Sequence, residues 1–465
     1  MRALVLAVVV LLLCACTPDE DQDVAHVPPA SAGATAGQSD PPTPPAWQTG
    51  QPSAVLTKRP LVLATNPRRG PIDVPEAVAR WVIDGTITNW RDLGQPAAPL
   101  TVDDRSPARN LPMNTIAVGV ADGVGPGVRV VAVDGFDPLR EPDRYPIQVQ
   151  GPSHGQVTTM TVVGDIMLGR GVGGGAALRP MADRLESADI TIGNLESTLS
   201  DAGTPTQGDD SFHADPAVRE DLLRAGFDVL GLANNHLGDY GDTALVETGQ
   251  LLRNAGFETF GAGRDLVAAR RPAVVERNGI TFGFLGFNAI GETREAAPGQ
   301  PGALSVSMPP RTGPLDRAEL DRVLGDVRRL AKRVDVVVVL PHWGEQYTNE
   351  PWPEQLLVGR RLAAAGADLV VGGHPHWVQG ASLVGDTLVV NSLGNFVFDM
   401  DGPSFTPDTM EGLVLEATFW DDRLMAADFV PYRMDADFAP RVVSRTDATR
   451  IYDRFWEFSG LGATR

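Results

Sequence analysis

One unit recurs four times in this chain and constrains its fold more than any other feature. Each copy consists of a helical segment, a short turn that contains Asp, an apolar strand and a polar loop. The copies read MADRLESADITIGNLES, DLLRAGFDVLGLANNHLGD, RRLAKRVDVVVVLPHWGEQ and RRLAAAGADLVVGGHPHWVQ, and a fifth strand, in TMTVVGDIMLGRG, precedes them. Apolar strands that alternate with helices are typical of layered α/β domains. We therefore predict one α/β domain over residues 157–433.

The five strands end in polar residues of the types that bind metal ions. In an open α/β sheet, ligands bind beyond the carboxyl ends of the strands. The strand ends carry Asp165, Asn194, Glu196, Asn234, Asn235, His236, His342, Glu345, His374 and His376. A single Asp after a strand is also a common turn residue, but five such sets indicate a shared site at one edge of the sheet.

The stretch LVVGGHPHWVQG holds two of the chain's seven histidines, one residue apart. Gly372 and Gly373 let the backbone approach an ion closely, and Pro375 stiffens the loop. In an extended segment His374 and His376 point the same way, so both can reach one centre. The alternative is that the two histidines only make polar contacts within a loop.

Carboxylate, amide and imidazole ligands together suit Mn, Fe or Zn. Two such ions about 3.5–4 Å apart, bridged by a carboxylate, polarise a substrate and generate hydroxide at neutral pH. We therefore predict a centre of two divalent ions and hydrolytic chemistry.

Six motifs in the chain resemble those of the CapA family, the bacterial poly-γ-glutamate capsule synthesis proteins. In order, they are GDIMLGRG, GNLES, LANNHLGDYG, PHWGEQY, GGHPHWVQG and NSLGNFVFD, and the resemblance as a whole runs over residues 159–400. The resemblance implies membership of the calcineurin-like metallophosphoesterase superfamily, whose fold is a four-layer αββα sandwich with metals at the strand ends. It also implies a role in the synthesis or export of a capsule or of poly-γ-glutamate.

The same resemblance implies a role for each motif residue. The implied metal ligands are Asp165 (terminal), Glu196 (bridging), Asn235 (second metal), His342, His374 and His376. His236 would be the general acid and Asp239 would orient it, whereas a helix-capping role is the alternative for His236. The predicted substrate contacts are Arg170, Asn194, Asn234 and Glu345.

One position departs from the superfamily pattern. The first motif there is Asp-x-His, but position 167 of this chain is Met, so one metal site lacks a histidine. Two functions therefore stay open: a metal-dependent hydrolase or transferase that acts on a phosphoester or an amide-linked envelope polymer, and a non-catalytic assembly factor that binds polymer. The intact NNH motif favours the hydrolase, since a binding module needs no general acid, and Met167 favours the assembly factor.

The N-terminus, MRALVLAVVVLLLCACTPDEDQD, has one Arg, an apolar run and then cysteine. The run is short for a membrane span and has the layout of a secretory signal. Leu13-Cys14-Ala15-Cys16 resembles the bacterial lipobox, which implies a signal peptide over residues 1–16 and a lipid on Cys16; a plain signal peptide is the alternative. We therefore expect an exported protein, anchored by lipid to the outer face of the cytoplasmic membrane, that can meet membrane-embedded capsule synthesis proteins.

Three other segments flank the α/β domain. Residues 17–54 are rich in Pro, Ala, Ser, Thr, Gly and Asp, which is typical of a disordered tether. Residues 55–150 are predicted to form a small α/β module, and DGTITNWRDLG and RYPIQV within it resemble part of the phosphate-type periplasmic solute-binding proteins. A packing or spacer role is the alternative for this module. Residues 434–465 are predicted to be a helical tail that covers the core.

The net charge of −20 bears on the partners. It argues against nucleic acid, because a phosphate backbone is met by clustered Lys and Arg. A polyanionic substrate would also be repelled unless metals or local arginines offset the charge. A filled metal site is thus a condition of the polyglutamate hypothesis.

Overall fold

The computed structural model describes residues 57–104, 110–400, 402 and 405–463. The predicted signal peptide, Cys16 and the predicted tether lie outside these ranges. Within them, no helix combines the length and the apolar character that crossing a membrane requires.

The first part of the described chain folds around a small five-stranded sheet. Strands are numbered in chain order. This sheet consists of β1 (Thr57–Thr65), β3 (Thr101–Asp103), β4 (Thr115–Val120), β5 (Arg129–Val130) and β7 (Gln148–Gly151). A separate two-stranded sheet consists of β2 (Asp73–Val74) and β6 (Ala132–Val133). Helix α1 (Glu76–Ile83) buries Ala79 and Val82 against the sheet, where Trp90 is fully buried. These elements have a hydrophobic cluster of their own, and their independence as a domain stays a prediction.

The first large sheet, here called sheet A, has eight strands in the order β11-β10-β9-β8-β21-β22-β23, with β20 beside β8. They are β8 (Val157–Ile166), β9 (Ile190–Leu195), β10 (Val229–Gly231), β11 (Glu258–Phe260), β20 (Asn395–Val397), β21 (Glu411–Trp420), β22 (Arg423–Met434) and β23 (Pro440–Val442). Strands β8 to β11 are parallel to one another. The hairpin β21–β22 extends the sheet in antiparallel register.

The second large sheet, sheet B, has six strands in the order β13-β14-β16-β17-β19-β18. They are β13 (Ala273–Arg277), β14 (Ile280–Asn288), β16 (Val336–His342), β17 (Leu369–Val371), β18 (Val378–Val384) and β19 (Thr387–Leu393). The two short strands β12 (Ala262–Gly263) and β15 (Gly302–Ala303) form an antiparallel pair. The four inner strands of sheet B are parallel. Strand β16 is buried along its whole length, which explains its uninterrupted apolar run.

Helices cover the outer face of each sheet. The remaining helices are α2 (Ala182–Glu186), α3 (Val218–Arg224), α4 (Gly241–Ala255), α5 (Leu266–Ala269), α6 (Arg317–Leu330), α7 (Pro353–Ala365) and α8 (Arg445–Glu457). Short 3-10 segments lie at Trp90–Leu93, Ala121–Gly123, Gly174–Met181, Gly208–Asp210 and Pro407–Met410. Helices α2, α3 and α4 pack on sheet A, and α6 and α7 pack on sheet B.

The inner faces of the two sheets form one apolar core. Side chains of β8, β9 and β10 meet those of β14, β16 and β17 in a single cluster, and α8 adds Ile451, Phe455 and Trp456 to it. The order of layers is helix, sheet, sheet, helix. The predicted four-layer αββα sandwich is confirmed.

The five polar strand ends need one correction. They were expected at one edge of one sheet, but β8, β9 and β10 belong to sheet A whereas β16 and β17 belong to sheet B. Because the sheets pack face to face with corresponding ends together, the polar loops still meet. The site lies across the end of the sandwich, between the two sheets.

Candidate metal centre

Asp165 lies near the end of β8 and is fully buried. Its Oδ1 accepts a hydrogen bond from the Asn194 side chain at 2.8 Å, and its Oδ2 accepts one from the backbone N–H of His374 at 2.9 Å. The second bond ties sheet A to the loop that follows β17 in sheet B. The carboxylate thus helps to build the site as well as facing it.

Glu196 directly follows β9 and is also fully buried. Its Oε1 lies 3.5 Å from His342 Nε2 and 4.0 Å from His236 Nε2. This oxygen has no hydrogen-bond donor among the described residues. A buried carboxylate oxygen without a donor is costly, and a cation in contact with it would remove that cost.

Two groups of potential ligands share Glu196. Asp165, Glu196 and His342 form one group, and Glu196, His374 and His376 form the other. Within each group the ligand atoms all lie within 4.8 Å of one another. A carboxylate common to two adjacent groups is what a bridged pair of divalent ions requires. The residues present therefore fit a metal centre, and the bridging role of Glu196 stays a prediction.

The loop of His374 and His376 differs from the expected extended segment. His374 has φ 93° and His376 has φ 60°, both in the left-handed region. Residues other than glycine rarely adopt this backbone conformation, which costs on the order of 1–3 kcal/mol per residue. Residues strained in this way cluster at functional sites. Both side chains nevertheless offer a ligand atom within 4.8 Å of a Glu196 oxygen, by local reversals of the backbone rather than by alternation along a strand. Both ring nitrogens of His374 lack a hydrogen-bond partner among the described residues, which suits a ligand.

Asn395 holds the second histidine of this loop. Its Oδ1 lies 2.9 Å from His376 Nδ1, and its Nδ2 donates to the carbonyl of Thr409 at 3.0 Å. The asparagine amide thereby fixes which ring nitrogen of His376 carries the proton. His376 Nε2 is left for the centre.

Asn235 is positioned by a residue that the sequence did not reveal. Its Oδ1 lies 2.8 Å from His342 Nε2, and its Nδ2 donates to Glu292 Oε2 at 2.7 Å. Because the donor end of the amide is occupied by Glu292, the acceptor end faces the ligands. This orientation suits the expected role of Asn235 as a ligand.

His236 has the geometry of a proton donor held in place. Its Nδ1 lies 2.8 Å from Asp239 Oδ2, and its ring stacks on Phe212 with centroids 3.7 Å apart. Asp239 in turn accepts hydrogen bonds from the backbone N–H of Phe212 and the side chain of Gln207. Burial alone would lower the pKa of His236, but Asp239 and Glu196 outweigh it and raise the pKa.

The predicted substrate contacts separate into a buried pair and a partly exposed pair. Asn194 donates to Asp165 and lies 3.3 Å from His342 Nδ1, so it sits within the ligand cage. Asn234 donates to Asn194 and accepts from the backbone N–H groups of His236 and Leu237. Both side chains are bonded within the protein, which favours positioning of the ligands over contact with a substrate.

Arg170 and Glu345 lie at the rim of the site. Arg170 forms an ion pair with Asp399 and lies over the ring of Phe212, 4.3 Å from its centroid. Glu345 lies 3.8 Å from Arg311, which also contacts Glu292. Neither residue belongs to a ligand group.

Met167 does not enter the site. It is fully buried in the cluster between sheet A and its helices, and its sulfur accepts from the backbone N–H of Gly169. The position that holds a histidine in the superfamily pattern therefore contributes to the apolar core here.

The buried charges perturb one another strongly. Burial, reinforced by Glu196, raises the pKa of Asp165 to about 7, and burial raises that of Glu196 to about 8. Burial lowers the pKa of His342 to about 4 and that of His376 to about 3, and holds the pKa of His374 well below its usual value. The three histidines are thus neutral at pH 7, the form that binds metal.

Sequence reasoning missed Glu292, Phe212 and Arg311. One signal could have found the first of them: β14 also ends in a polar loop, GFNAIGETRE, so it repeats the pattern of the other five strands. Phe212 and Arg311 lie outside the six motifs and had no such signal.

The fold and the two ligand groups define an αββα sandwich protein with a candidate metal centre at the strand ends. Residues 159–400 match the family described as bacterial capsule synthesis protein PGA_cap. The chain belongs to this family.

The three relatives described next are 29–31% identical to this chain over the matched segments. It is 31% identical to the capsule biosynthesis protein CapA of Bacillus anthracis over 319 residues, 66% of this chain and 74% of that protein. It is 31% identical to the PGA biosynthesis protein CapA of Bacillus subtilis over 254 residues, 52% of this chain and 64% of that one. A probable polyglutamine synthesis accessory protein of Mycobacterium tuberculosis is 29% identical over 225 residues, 46% of this chain and 57% of that one. The chain thus spans less than two thirds of the second and third of these relatives.

Solved structures resemble this chain at lower sequence identity. A hypothetical protein from Thermus thermophilus superposes with a TM-score of 0.40 at 16% identity, covering 59% of this chain and 99% of that one. A phosphatase from Mycoplasma pneumoniae gives 0.39 at 12% identity, covering 60% and 94%.

Proposed function

We propose that this chain is a metal-dependent hydrolase that acts on a phosphoester or an amide-linked anionic polymer during the synthesis or export of a capsule or of polyglutamate. The observation that carries the proposal is the pair of ligand groups that share Glu196. The relatives, described as capsule, PGA or polyglutamine synthesis proteins, supply the biological context.

The ligands in this proposal are Asp165, Glu196, Asn235, His342, His374 and His376. Two divalent ions bound there, of Mn, Fe or Zn, would polarise the scissile bond and lower the pKa of the attacking water. His236 would donate a proton to the leaving group from Nε2, since Asp239 occupies Nδ1. Its raised pKa keeps that proton available near neutral pH.

Metal content tests the centre. The full chain would be loaded with Mn, Fe or Zn, dialysed and analysed by mass spectrometry beside His374→Ala/His376→Ala. His213→Ala is the matched control, because His213 is outside both ligand groups. Two equivalents in the parent and control, lost in the double variant, would support the proposal, and no metal in any preparation would overturn it.

Hydrolysis tests the chemistry separately. The parent, His236→Asn and Asp239→Asn would be assayed on a phosphodiester and on γ-linked glutamate oligomers. Loss of the general acid should lower kcat by roughly 10²–10⁴-fold, with metal content unchanged. A metal-loaded parent protein that hydrolyses neither substrate class would overturn the proposal of a hydrolase.

The second candidate function is a polymer-binding assembly factor. It is favoured by the burial of Met167 in the apolar core, where it provides no ligand. One equivalent of metal and polymer binding without turnover would select this function.

We also propose that Cys16 carries a lipid that anchors the exported chain to the outer face of the cytoplasmic membrane, where membrane-embedded capsule synthesis proteins could bind it. The support is the order of charge, apolar run and cysteine at the N-terminus. Cys16→Ala should abolish labelling by a fatty acid and release the protein from the membrane fraction. Cys14→Ala is the matched control, and equal labelling of both variants would contradict the anchor.

A further inference from the structure

We propose that the chain has a second ligand site, a cavity that binds an organic anion with an apolar body. The cavity has a volume of about 750 Å³ and lies between the N-terminal elements, at Arg68, Ile72 and Arg129, and the surface made by β22, β23 and α8. Its lining includes no residue of the candidate metal centre. A volume of this size is typical of small-molecule sites.

The cavity is locally positive in a strongly negative chain. Five arginines and four carboxylates line it, whereas the chain as a whole has a net charge of −20. Arg68 donates only to neutral acceptors, the carbonyls of Ser459 at 3.0 Å and Leu461 at 3.3 Å. Arg445 donates to the side-chain oxygen of Gln95 at 2.8 Å. Neither positive charge has a carboxylate bound directly to it among the described residues.

The other two arginines at the edge share a single carboxylate. Arg140 and Arg184 both contact Glu416, one on each oxygen. Asp137 and Asp428 also act electrostatically on Arg140, so the excess of positive charge in the cavity rests on Arg68 and Arg445.

Arg129 is the anchor of the proposed site. Only 6% of its surface is exposed, and its Nε and Nη1 have no hydrogen-bond acceptor among the described residues. Asp428 forms an ion pair with the guanidinium, its carboxylate oxygen 3.4 Å from Nε, but Nη1 is left without an acceptor among the described residues. Buried charged donors without acceptors are costly. A carboxylate or phosphate group would satisfy them, because its oxygens match the fork of a guanidinium.

The rest of the lining defines the body of the ligand. Ile72, Phe429 and Trp456 present hydrocarbon and aromatic surface, with the rings of Phe429 and Trp456 6.2 Å apart. Tyr452 stacks beside Trp456 at 6.3 Å. A ligand that consists only of a charged group would leave this apolar surface in contact with water. The site therefore fits an anion with an attached apolar group. The site also gives the N-terminal elements a part in binding, and it does not depend on the metal centre.

Calorimetric titration of the full chain tests the proposal. The probes are phenyl phosphate, 4-phenylbutyrate and the uncharged 4-phenylbutanol. We expect at least one anion to bind and the alcohol to bind about tenfold more weakly or not at all, since it cannot supply the charged acceptor. The stronger of the two anions identifies the head group, phosphate or carboxylate. No heat from either anion at millimolar concentration overturns the proposal.

Variants place the binding in the cavity. Arg129→Gln should lower the affinity for the anions by about tenfold or more, because a charged hydrogen-bond donor is lost. Arg264→Gln is the matched control, because that side chain is 79% exposed and lies outside the cavity. If Arg129→Gln does not fold, Thr449→Trp fills the cavity from an exposed position on α8 and should abolish binding. Unchanged affinity in the folded variants overturns the assignment, and so does inorganic phosphate that binds as tightly as phenyl phosphate.

Discussion

At the level of single residues, the candidate centre depends on a glycine as much as on its ligands. A Cβ at Gly373 would lie 2.5 Å from Asp165 Oδ1 and 3.2 Å from His342 Nδ1. Two potential ligands therefore occupy the space that a side chain would need. The backbone there is part of the wall of the site.

The substitution Gly373→Ala should abolish metal binding and leave the fold intact. The added methyl group displaces Asp165 or His342, both of which belong to one ligand group. Metal content and circular dichroism would be measured together. Gly125→Ala is the control, because a Cβ at Gly125 meets no atom within 4 Å, and a metal-loaded Gly373→Ala would refute the packing argument.

Protonation of two carboxylates should make metal affinity depend on pH. Asp165 and Glu196 have pKa values raised to about 7 and about 8, chiefly by burial. Metal must displace their protons below those values, so the apparent affinity should rise as the pH increases from 6 to 8. Competition titrations at several pH values would measure this slope, and a flat profile would contradict it.

The same shifts have the opposite effect on the metal-free fold. In the range between the ordinary pKa values of these carboxyls and about 8, the folded state binds more protons than the unfolded state. The free energy of unfolding should therefore fall as the pH rises through that range. Thermal denaturation of chelated protein would measure it, and Glu196→Gln should reduce the dependence.

At the level of elements, the sequence predicts what each strand end carries but not which sheet each strand joins. The alternation of helices and apolar strands predicted the layers correctly, because burial on both faces leaves a continuous apolar run such as that of β16. The division of five similar units between two sheets depends on long-range pairing, which periodicity does not encode. The left-handed backbone of His374 and His376 was missed for a related reason, since it is imposed by contacts such as the bond from His374 N–H to Asp165.

Helix α6 shows how apolar spacing and an N-cap residue in the local sequence define a helix that covers sheet B. Its apolar residues recur at helical spacing and face sheet B: Leu320, Val323, Leu324, Val327 and Leu330. Asp316 begins the helix, and its Oδ1 accepts from the backbone N–H groups of Ala318 and Glu319.

Asp316→Ala should lower the free energy of unfolding by about 0.5–2 kcal/mol, because two backbone donors lose their acceptor. Denaturant titration would measure the loss. Asp321→Ala, at an exposed position of the same helix, should have little effect. A similar loss in both variants would show that charge, rather than capping, is responsible.

At the level of the whole molecule, the hairpin β21–β22 joins the N-terminal elements to the sandwich. Trp420 packs with Val62, Ala117 and Val130 in a shared cluster, and its Nε1 donates to the carbonyl of Leu139 at 2.8 Å. Arg423 at the start of β22 donates to the carbonyls of Asp122 and Val124.

Trp420→Ala should cost about 3–5 kcal/mol of stability, the range for removing a large buried aromatic side chain. It should also expose the N-terminal elements to protease while the candidate metal centre still binds metal. Limited proteolysis and metal analysis would test this. Trp81→Ala, which removes a tryptophan that is 49% exposed, is the control, and equal resistance of the two variants would contradict the role of the hairpin.

The residues of the centre come from segments far apart in the chain. Asp165 is 209 residues from His374, which its carboxylate contacts, and Asn395, which fixes His376, comes later still. A nascent chain would therefore offer an ion no complete set of ligands until His376 had left the ribosome. Which ion fills the centre would then depend on the metals present where that part of the chain folds.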